Sequence, residues 1–455
     1  MYVQVETVPT VELGDRSYVV HDGTYAFVID PQRDVDRVTE VLDRLGLQLA
    51  AVAETHIHND YLTGGLVLAR AAKVEYLVSR SDDVSYARTP VDDDTELSVG
   101  DLFIRVVATP GHTQGHLSYV VLGPDGSTAV FSGGSLLYGA VGRTDLISTE
   151  LTHELAIAQY RSVRRLADSL PDDAALYPTH GFGSFCASGP PSPQTAEVGT
   201  VGAERRNNQA LVEPDEVEFV RRTIAGFTPY PAYYPRMAPR NAAGVEAADL
   251  SAGRQAELDE IRQRLDAGEW VVDLRSRRDF AADHLAGTIA VELGPQFATY
   301  LGWIFPYGSP LALLGETAEQ VAAAQRQLVR IGIDRPSAVA HGPLSAIAPG
   351  VPRGSFRRAS FAELAEAINE GVAVLDVRRQ DERERDGAIP RALHMPLPEL
   401  MKRLDDLPES NWWVHCASGF RATIAASLLD RAGHRVVLVD DSFASAREHG
   451  LVASP

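Results

Sequence analysis

The chain has 455 residues, 45% of them hydrophobic and 23% charged, the balance of a globular protein whose length calls for about three domains rather than one core. Forty-two basic residues against sixty-two acidic ones leave a net charge of −20. That field repels nucleic acid and anionic membrane, and an anionic substrate would need local arginines to hold it.

Met1 to Asp15 carries acidic residues and lacks both a basic start and a continuous apolar stretch, so it does not read as a secretion signal. No apolar run approaches the roughly 20 residues that span a bilayer. A cytoplasmic protein is expected. Cys186 and Cys416 lie 230 positions apart and do not resemble a disulfide framework, which suits a reducing compartment.

Short β-rich runs at Ser17–Val20, Tyr25–Ile29, Phe103–Val107, Leu117–Val121 and Ala129–Phe131 alternate with helical stretches at Asp34–Leu45 and His153–Ser169. Such alternation predicts a layered α/β domain. Three histidine-bearing loops punctuate it. Thr55-His56-Ile57-His58-Asn59-Asp60-Tyr61 follows the apolar run Leu49–Ala53, Pro110-Gly111-His112-Thr113-Gln114-Gly115-His116 follows a strand, and Tyr177-Pro178-Thr179-His180-Gly181 comes last. Histidines at alternate positions, then an aspartate, can converge on one point as a strand opens into a loop, and three such loops in this order point to a metal site. His116, a short turn beyond His112, reads as a supporting residue. Cys186 follows His180 by six residues. A loop thiol so placed would present sulfur or substrate, against the plainer reading of an unreactive cysteine.

From Ala187 to Ala210 the chain reads as loop, with Gly189-Pro190-Pro191-Ser192-Pro193 near its start, and Pro229 to Gly244 reads as a tail packed by its tyrosines and followed by a linker. Beyond it one pattern occurs twice. Helical Ala256–Leu265 leads into Trp270-Val271-Val272-Asp273-Leu274-Arg275, and helical Phe361–Asn369 leads into Val372-Ala373-Val374-Leu375-Asp376-Val377-Arg378. Each is an apolar run buried on both faces and ending in Asp-x-Arg, which predicts an internal repeat of a small α/β unit joined at Pro349 to Gly354.

In the second copy, Trp412-Trp413-Val414 leads into the loop Cys416-Ala417-Ser418-Gly419-Phe420-Arg421 and then an alanine-rich helix. A thiol at a strand-to-helix turn faces backbone N–H groups and the positive end of the helix dipole, which favour a thiolate. Gly419 lets the loop curl and Arg421 adds a fixed positive charge. Asp376 and Arg378 are expected to brace the loop, and His415 to pack. The matching place in the first copy is expected at His341-Gly342-Pro343, after Ser337-Ala338-Val339-Ala340. Having neither thiol nor arginine there, that unit is expected to be structural.

Residues 250 to 455 resemble rhodanese domains. The second copy matches the Cys-x-x-Gly-x-Arg active loop, and the first resembles an inactive unit. The resemblance implies a sulfurtransferase in which Cys416 carries sulfane sulfur as a persulfide, between small-molecule persulfide, thiosulfate or thiol. The first 245 residues resemble the metallo-β-lactamase fold, the family of glyoxalase II and the persulfide dioxygenases, through His56, His58 and Asp60, with Tyr61 at the last motif position, and through His112 and His180. The implied architecture is an αββα sandwich over 1–245 followed by tandem rhodanese-like domains over 250–350 and 355–455.

The resemblance implies one metal ion, Fe(II) or Zn(II), yet Gly134 in Phe131-Ser132-Gly133-Gly134-Ser135 stands where the family has a ligating aspartate. Three arrangements remain open. His58 completes a three-histidine site with His56 and His112; Asp60 or a water fills the gap; or the metal is lost. His180 is a further candidate ligand. Gly142-Arg143-Thr144-Asp145 resembles the stretch beside the thiol-substrate pocket, where Arg143 either pairs with a substrate carboxylate or closes a salt bridge to Asp145. The fusion as a whole resembles bacterial persulfide dioxygenase–sulfurtransferases and implies self-association as a homodimer. A glyoxalase II-like zinc hydrolase fused to rhodanese, or a sulfurtransferase with a degenerate first domain, are the alternatives.

Overall fold

The computed structural model describes residues 3–181, 183–189 and 199–452. Phe182 and most of the expected loop from Gly189 to Pro193 lie outside the described residues. Contacts divide the chain into two compact units: Met1–Asp249 with Val329–Gly332, and Leu250–Leu328 with Ile333–Pro455.

The first unit is built on two six-stranded sheets. Gln4–Thr10, Asp15–His21 and Tyr25–Ile29 pair antiparallel, then Gln48–Ala53, Glu75–Ser79 and Thr89–Val91 continue in parallel. The other sheet runs Glu96–Val99, Leu102–Ala108, Leu117–Leu122, Thr128–Gly133, Ala175–Pro178 and Gly199–Thr200. Tyr18, Phe27, Ile29 and Ala53 from one sheet meet Ile104, Tyr119, Val121 and Phe131 from the other in a shared core. Fully burying an apolar side chain of this size contributes roughly 1.5–3 kcal/mol, so the inter-sheet layer is a main source of stability.

Asp36–Leu45 and Gly65–Ala72 cover the outer face of the first sheet, through Val38, Leu42, Leu66 and Ala69. Thr152–Asp168 covers the second. Its Leu155, Ala156, Tyr160, Val163 and Leu166 recur at helical spacing and are all buried. The layers are therefore αββα, and the loops bearing His56, His58, His112 and His180 all follow C-terminal ends of strands. Two loop expectations are corrected. Val201–Asn207 and Gln209–Val212 are short helices, capped by Thr200 and Asn208 side chains, and Tyr234–Ala243 is a helix that tolerates Pro239 and buries Tyr234 and Met237. Polar and proline-rich composition hid both.

The second unit contains two parallel sheets of matching order. One runs Ile289–Ala290, Trp270–Asp273, Leu311–Gly315, Ala338–His341; the other runs Leu393–His394, Ala373–Asp376, Asn411–His415, Arg435–Val439, with Arg357–Ala359 added at the far edge. This order corrects the expected counterpart of Cys416. Asp273 pairs with Leu314 as Asp376 pairs with His415, so Gly315, not His341, occupies the position equivalent to Cys416. His341 lies on the next strand, paired with Gly315. The sequence misled because both strands of the first copy are short and apolar.

Candidate metal centre and cysteine loop

The three histidine loops meet in a fully buried nest. His56 lies with ring centroids 4.8 Å from His112, 4.9 Å from His116 and 5.3 Å from His180. Each ring is held by an oxygen at Nδ1. The Thr55 hydroxyl donates to Asp30 at 2.7 Å, so its oxygen is free to accept from His56 Nδ1 at 2.9 Å. His112 Nδ1 donates to the Arg143 carbonyl at 2.7 Å, and His180 Nδ1 lies 2.9 Å from Asp15 Oδ1 and 3.3 Å from Asp60 Oδ2. With Nδ1 engaged, Nε2 is the atom left to face inward, the arrangement of imidazoles that bind a metal. His56 Nε2 and His180 Nε2 are 3.3 Å apart, and His112 Nε2 is buried without a hydrogen-bond partner among the described residues.

His116 differs, because its Nε2 accepts the Gly134 N–H at 2.9 Å while Nδ1 pairs with the Thr109 hydroxyl at 2.8 Å. It shapes the site and has no lone pair left for an ion. Gly134 offers no ligand, and its room is taken: a Cβ there would lie 2.2 Å from His112 Cδ2, and one at Gly142 would lie 2.7 Å from His112 Nδ1. The imidazole thus occupies a slot between two glycines.

His58, expected as a third ligand, keeps its Nδ1 buried without a hydrogen-bond partner among the described residues and falls with His56 and His180 in a group able to hold a metal ion, while its Nε2 is engaged. Its ring stacks on Tyr61, and Nε2 lies 3.3 Å from Asp30 Oδ1, 3.3 Å from Glu54 Oε2 and 3.0 Å from the Tyr61 hydroxyl. Burial alone would lower its pKa, but the two carboxylates outweigh burial and raise it to about 10. Burial and neighbouring rings instead push His56 and His112 well below the ordinary histidine range, leaving them neutral. Asp15 and Asp60 are both raised, chiefly by burial, as two carboxyls sharing one region do.

For Arg143 the structure shows the second of the two expected arrangements, the salt bridge to Asp145. Arg143 is buried, forks onto Asp145 through two 2.7 Å hydrogen bonds, donates to the carbonyls of Phe185 at 3.2 Å and Thr228 at 2.8 Å, and lies over the Tyr230 ring at 4.8 Å. These bonds use four of the five guanidinium N–H groups. Cys186 is wholly buried, and its sulfur sits with the ring nitrogens of His112 and His180 inside a group whose atoms are all within 4.8 Å. Asp15, Asp30, Glu54 and Thr55 also build the site. Sequence reasoning passed over them because none belongs to a histidine loop as a spaced ligand.

Around Cys416 the loop follows Asn411–His415 and leads into the helix Phe420–Arg431. Gly419 has φ 91°, and a Cβ there would meet Asp440 Oδ1 at 2.2 Å, so glycine is required twice over. The Phe443 N–H fastens the loop through Ala417 O at 2.9 Å. Arg378 is fully buried; it forks onto Asp376, donates to Gly387 O at 2.9 Å and lies 3.5 Å from the Phe443 ring centroid. His415 stacks on Phe443.

Arg421 pairs bidentately with Glu382, and its Cζ lies 5.8 Å from the Tyr300 ring centroid. Ser418 and Phe420 complete the loop, with the Phe420 ring 5.7 Å from Tyr300. Tyr300 comes from the preceding α/β unit and was not foreseen. Cys416 itself is 1% exposed, so a sulfur donor must displace part of this cover. Cys186 and Cys416 are both free cysteines, and no described helix is long and apolar enough to cross a membrane.

The model of the metallo-beta-lactamase superfamily matches residues 13–180, and that of the rhodanese-like domain matches residues 360–449. Human mitochondrial persulfide dioxygenase ETHE1 is 30% identical over 223 residues, covering 49% of this chain and 78% of that protein. Hydroxyacylglutathione hydrolase of Methylobacillus flagellatus is 30% identical over 180 residues, covering 39% of this chain and 66% of the relative. Among solved structures, a metallo-beta-lactamase from Staphylococcus aureus superposes with a TM-score of 0.67 at 25% identity, spanning 75% of this chain and all of its own.

Proposed function

Because the chain belongs to the metallo-beta-lactamase superfamily and carries a rhodanese-like domain near its C-terminal end, we propose that it is a sulfur-metabolism enzyme joining metal-dependent persulfide oxidation to sulfur transfer through Cys416. The observation that carries the first half is the nest of His56, His112 and His180, each ring held at Nδ1 by an oxygen so that Nε2 is left for an ion, with His56 Nε2 and His180 Nε2 3.3 Å apart. These residues would hold one Fe(II) or Zn(II), which supplies a Lewis-acidic centre for oxygen or hydroxide chemistry. The chain's own residues do the rest: Thr55, Arg143 and Asp15 fix ring orientation, and complete burial keeps the site dry. The overall conversion is persulfide plus oxygen plus water to thiol, sulfite and two protons.

At the second site the Cys416 thiolate attacks the outer sulfur of a persulfide or thiosulfate. The donor S–S bond breaks, and the thiolate or sulfite leaves with the bonding pair. An acceptor thiolate then attacks the outer sulfur of the Cys416 persulfide and releases Cys416. Arg421 and the helix N-terminus favour the anionic adduct, and the matching strand order and Asp-x-Arg turn support reading residues 250–350 as an inactive rhodanese-like unit.

Metal analysis followed by oxygen uptake with the persulfide of a small thiol tests this reading. Iron with uptake and sulfite release supports it. One observation favours a second reading, a zinc thioester hydrolase: Gly134 removes a carboxylate and leaves a nitrogen-rich set suited to zinc. Zinc with thioester turnover and no oxygen uptake would establish that instead. Absence of metal, with sulfur transfer intact, would reduce the first domain to a scaffold.

A further inference from the structure

We propose that Cys186 is a metal ligand, its sulfur joining ring nitrogens of His112 and His180 in a two-nitrogen, one-sulfur set for a divalent ion. The proposal rests on the reading of the first domain as metal-binding and adds which atoms do the binding. Gly134 has no side chain, and its N–H is given to His116, so that position contributes nothing to an ion. Cys186 approaches from another segment, and its sulfur and the ring nitrogens of His112 and His180 all lie within 4.8 Å of one another.

The independent observation is His112. Its Nε2 is fully buried and has no hydrogen-bond partner among the described residues, which is costly for a ring nitrogen unless a cation sits beside it. His56 Nε2 and His180 Nε2, 3.3 Å apart, match the separation of about 3.3–3.4 Å for two nitrogens sharing a tetrahedral ion at 2.0–2.1 Å. A thiol hydrogen is a weak donor and can serve only one of these nitrogens; a cation bound by a thiolate serves more than one.

The backbone places the sulfur with the care given to the rings. One residue, Arg143, accepts the His112 Nδ1 hydrogen on its carbonyl at 2.7 Å and donates its N–H to the Cys186 carbonyl at 2.8 Å. Its guanidinium holds the neighbouring Phe185 carbonyl, and Ser188 N–H donates to Val141 O at 2.8 Å. The segment bearing the thiol is thus strapped to the segment that orients His112, a fixed geometry of the kind metal ligands need. This gives Arg143 its function: it positions two ligands rather than binding substrate.

The test strips the full-length protein of metal, reloads it with Co(II), and follows the thiolate-to-cobalt charge-transfer absorption. Wild type and Cys416→Ser should show the band. Cys186→Ser should lose it and bind Co(II) more weakly, on the order of tenfold or more. Cys186→Ala, checked for folding by circular dichroism and by retained sulfur transfer at Cys416, should behave like the serine variant. Cobalt bound without the band, or a Cys186 variant keeping both band and affinity, overturns the thiolate ligand while leaving a metal site. No cobalt bound at all overturns the metal-binding reading as well.

Discussion

At the scale of single residues, Gly134 and Gly142 decide what His112 can do, because the imidazole fills the space their side chains would need. Gly134→Asp would therefore displace the ring rather than add a ligand. We expect a loss of about 1–3 kcal/mol in denaturant unfolding and weaker metal binding, the opposite of what restoring a ligating carboxylate would do. Cys416→Ser should abolish sulfur transfer to cyanide and leave metal content unchanged; residual transfer above about a tenth of wild type would point to another thiol. The histidine loops were legible in sequence because ligand spacing on strand ends is local. The anchoring of His58 Nε2 by Asp30 was not, since Asp30 follows another strand and meets it only once the strands come together.

At the scale of elements, the two Asp-x-Arg turns fold alike: Arg275 forks onto Asp273 and donates to Asp283 O at 2.9 Å, as Arg378 forks onto Asp376 and donates to Gly387 O at 2.9 Å. Arg378→Ala would remove the bidentate partner of the buried Asp376 and leave it only the longer contacts to Arg383 at 3.6 Å and His415 at 3.8 Å, at a cost of about 3 kcal/mol in denaturant unfolding. Burial raises the Asp376 pKa, but His415 and Arg378 outweigh it and hold it below 3.8. A depressed carboxyl contributes stability that is complete above its unfolded pKa and lost as pH falls through the folded value. Burial lowers His415 from 6.5 to about 4, so it too disfavours the fold on acidification through that interval. Unfolding midpoints should thus fall between pH 6.5 and 4 and less so in His415→Phe. The repeat was legible from these turns, but the strand matching Cys416's was not, because strand order across a sheet is set by pairing that an apolar run does not encode.

Tyr300 belongs to the same scale, an aromatic from one α/β unit lying over the active loop of the next. Tyr300→Ala should speed alkylation of Cys416 about tenfold or more, as expected when a cover costing about 1.4 kcal/mol to open is removed. Tyr300→Phe, which keeps the ring, should leave the rate near wild type. Equal rates in all three proteins would show that the cover lies elsewhere.

For the whole molecule, the two proposed chemistries lie on separate structural units, which predicts separable activities. Chelation should remove the metal and any oxygen uptake, while cyanide-trapped sulfur transfer persists at close to its original rate. The αββα layering and the α/β repeat were readable from periodicity and turn residues, because each element's burial pattern is written in its own few residues. The helices at Val201–Asn207 and Tyr234–Ala243 were not, as they are polar or proline-bearing and stabilised by packing from elsewhere. The most direct measurement is mass spectrometry of proteolytic peptides from full-length protein exposed to thiosulfate or a small-thiol persulfide, before and after metal removal. One added sulfur on the peptide containing Cys416 in both states is the predicted result; no added sulfur there, or sulfur on the Cys186 peptide alone, would contradict the account.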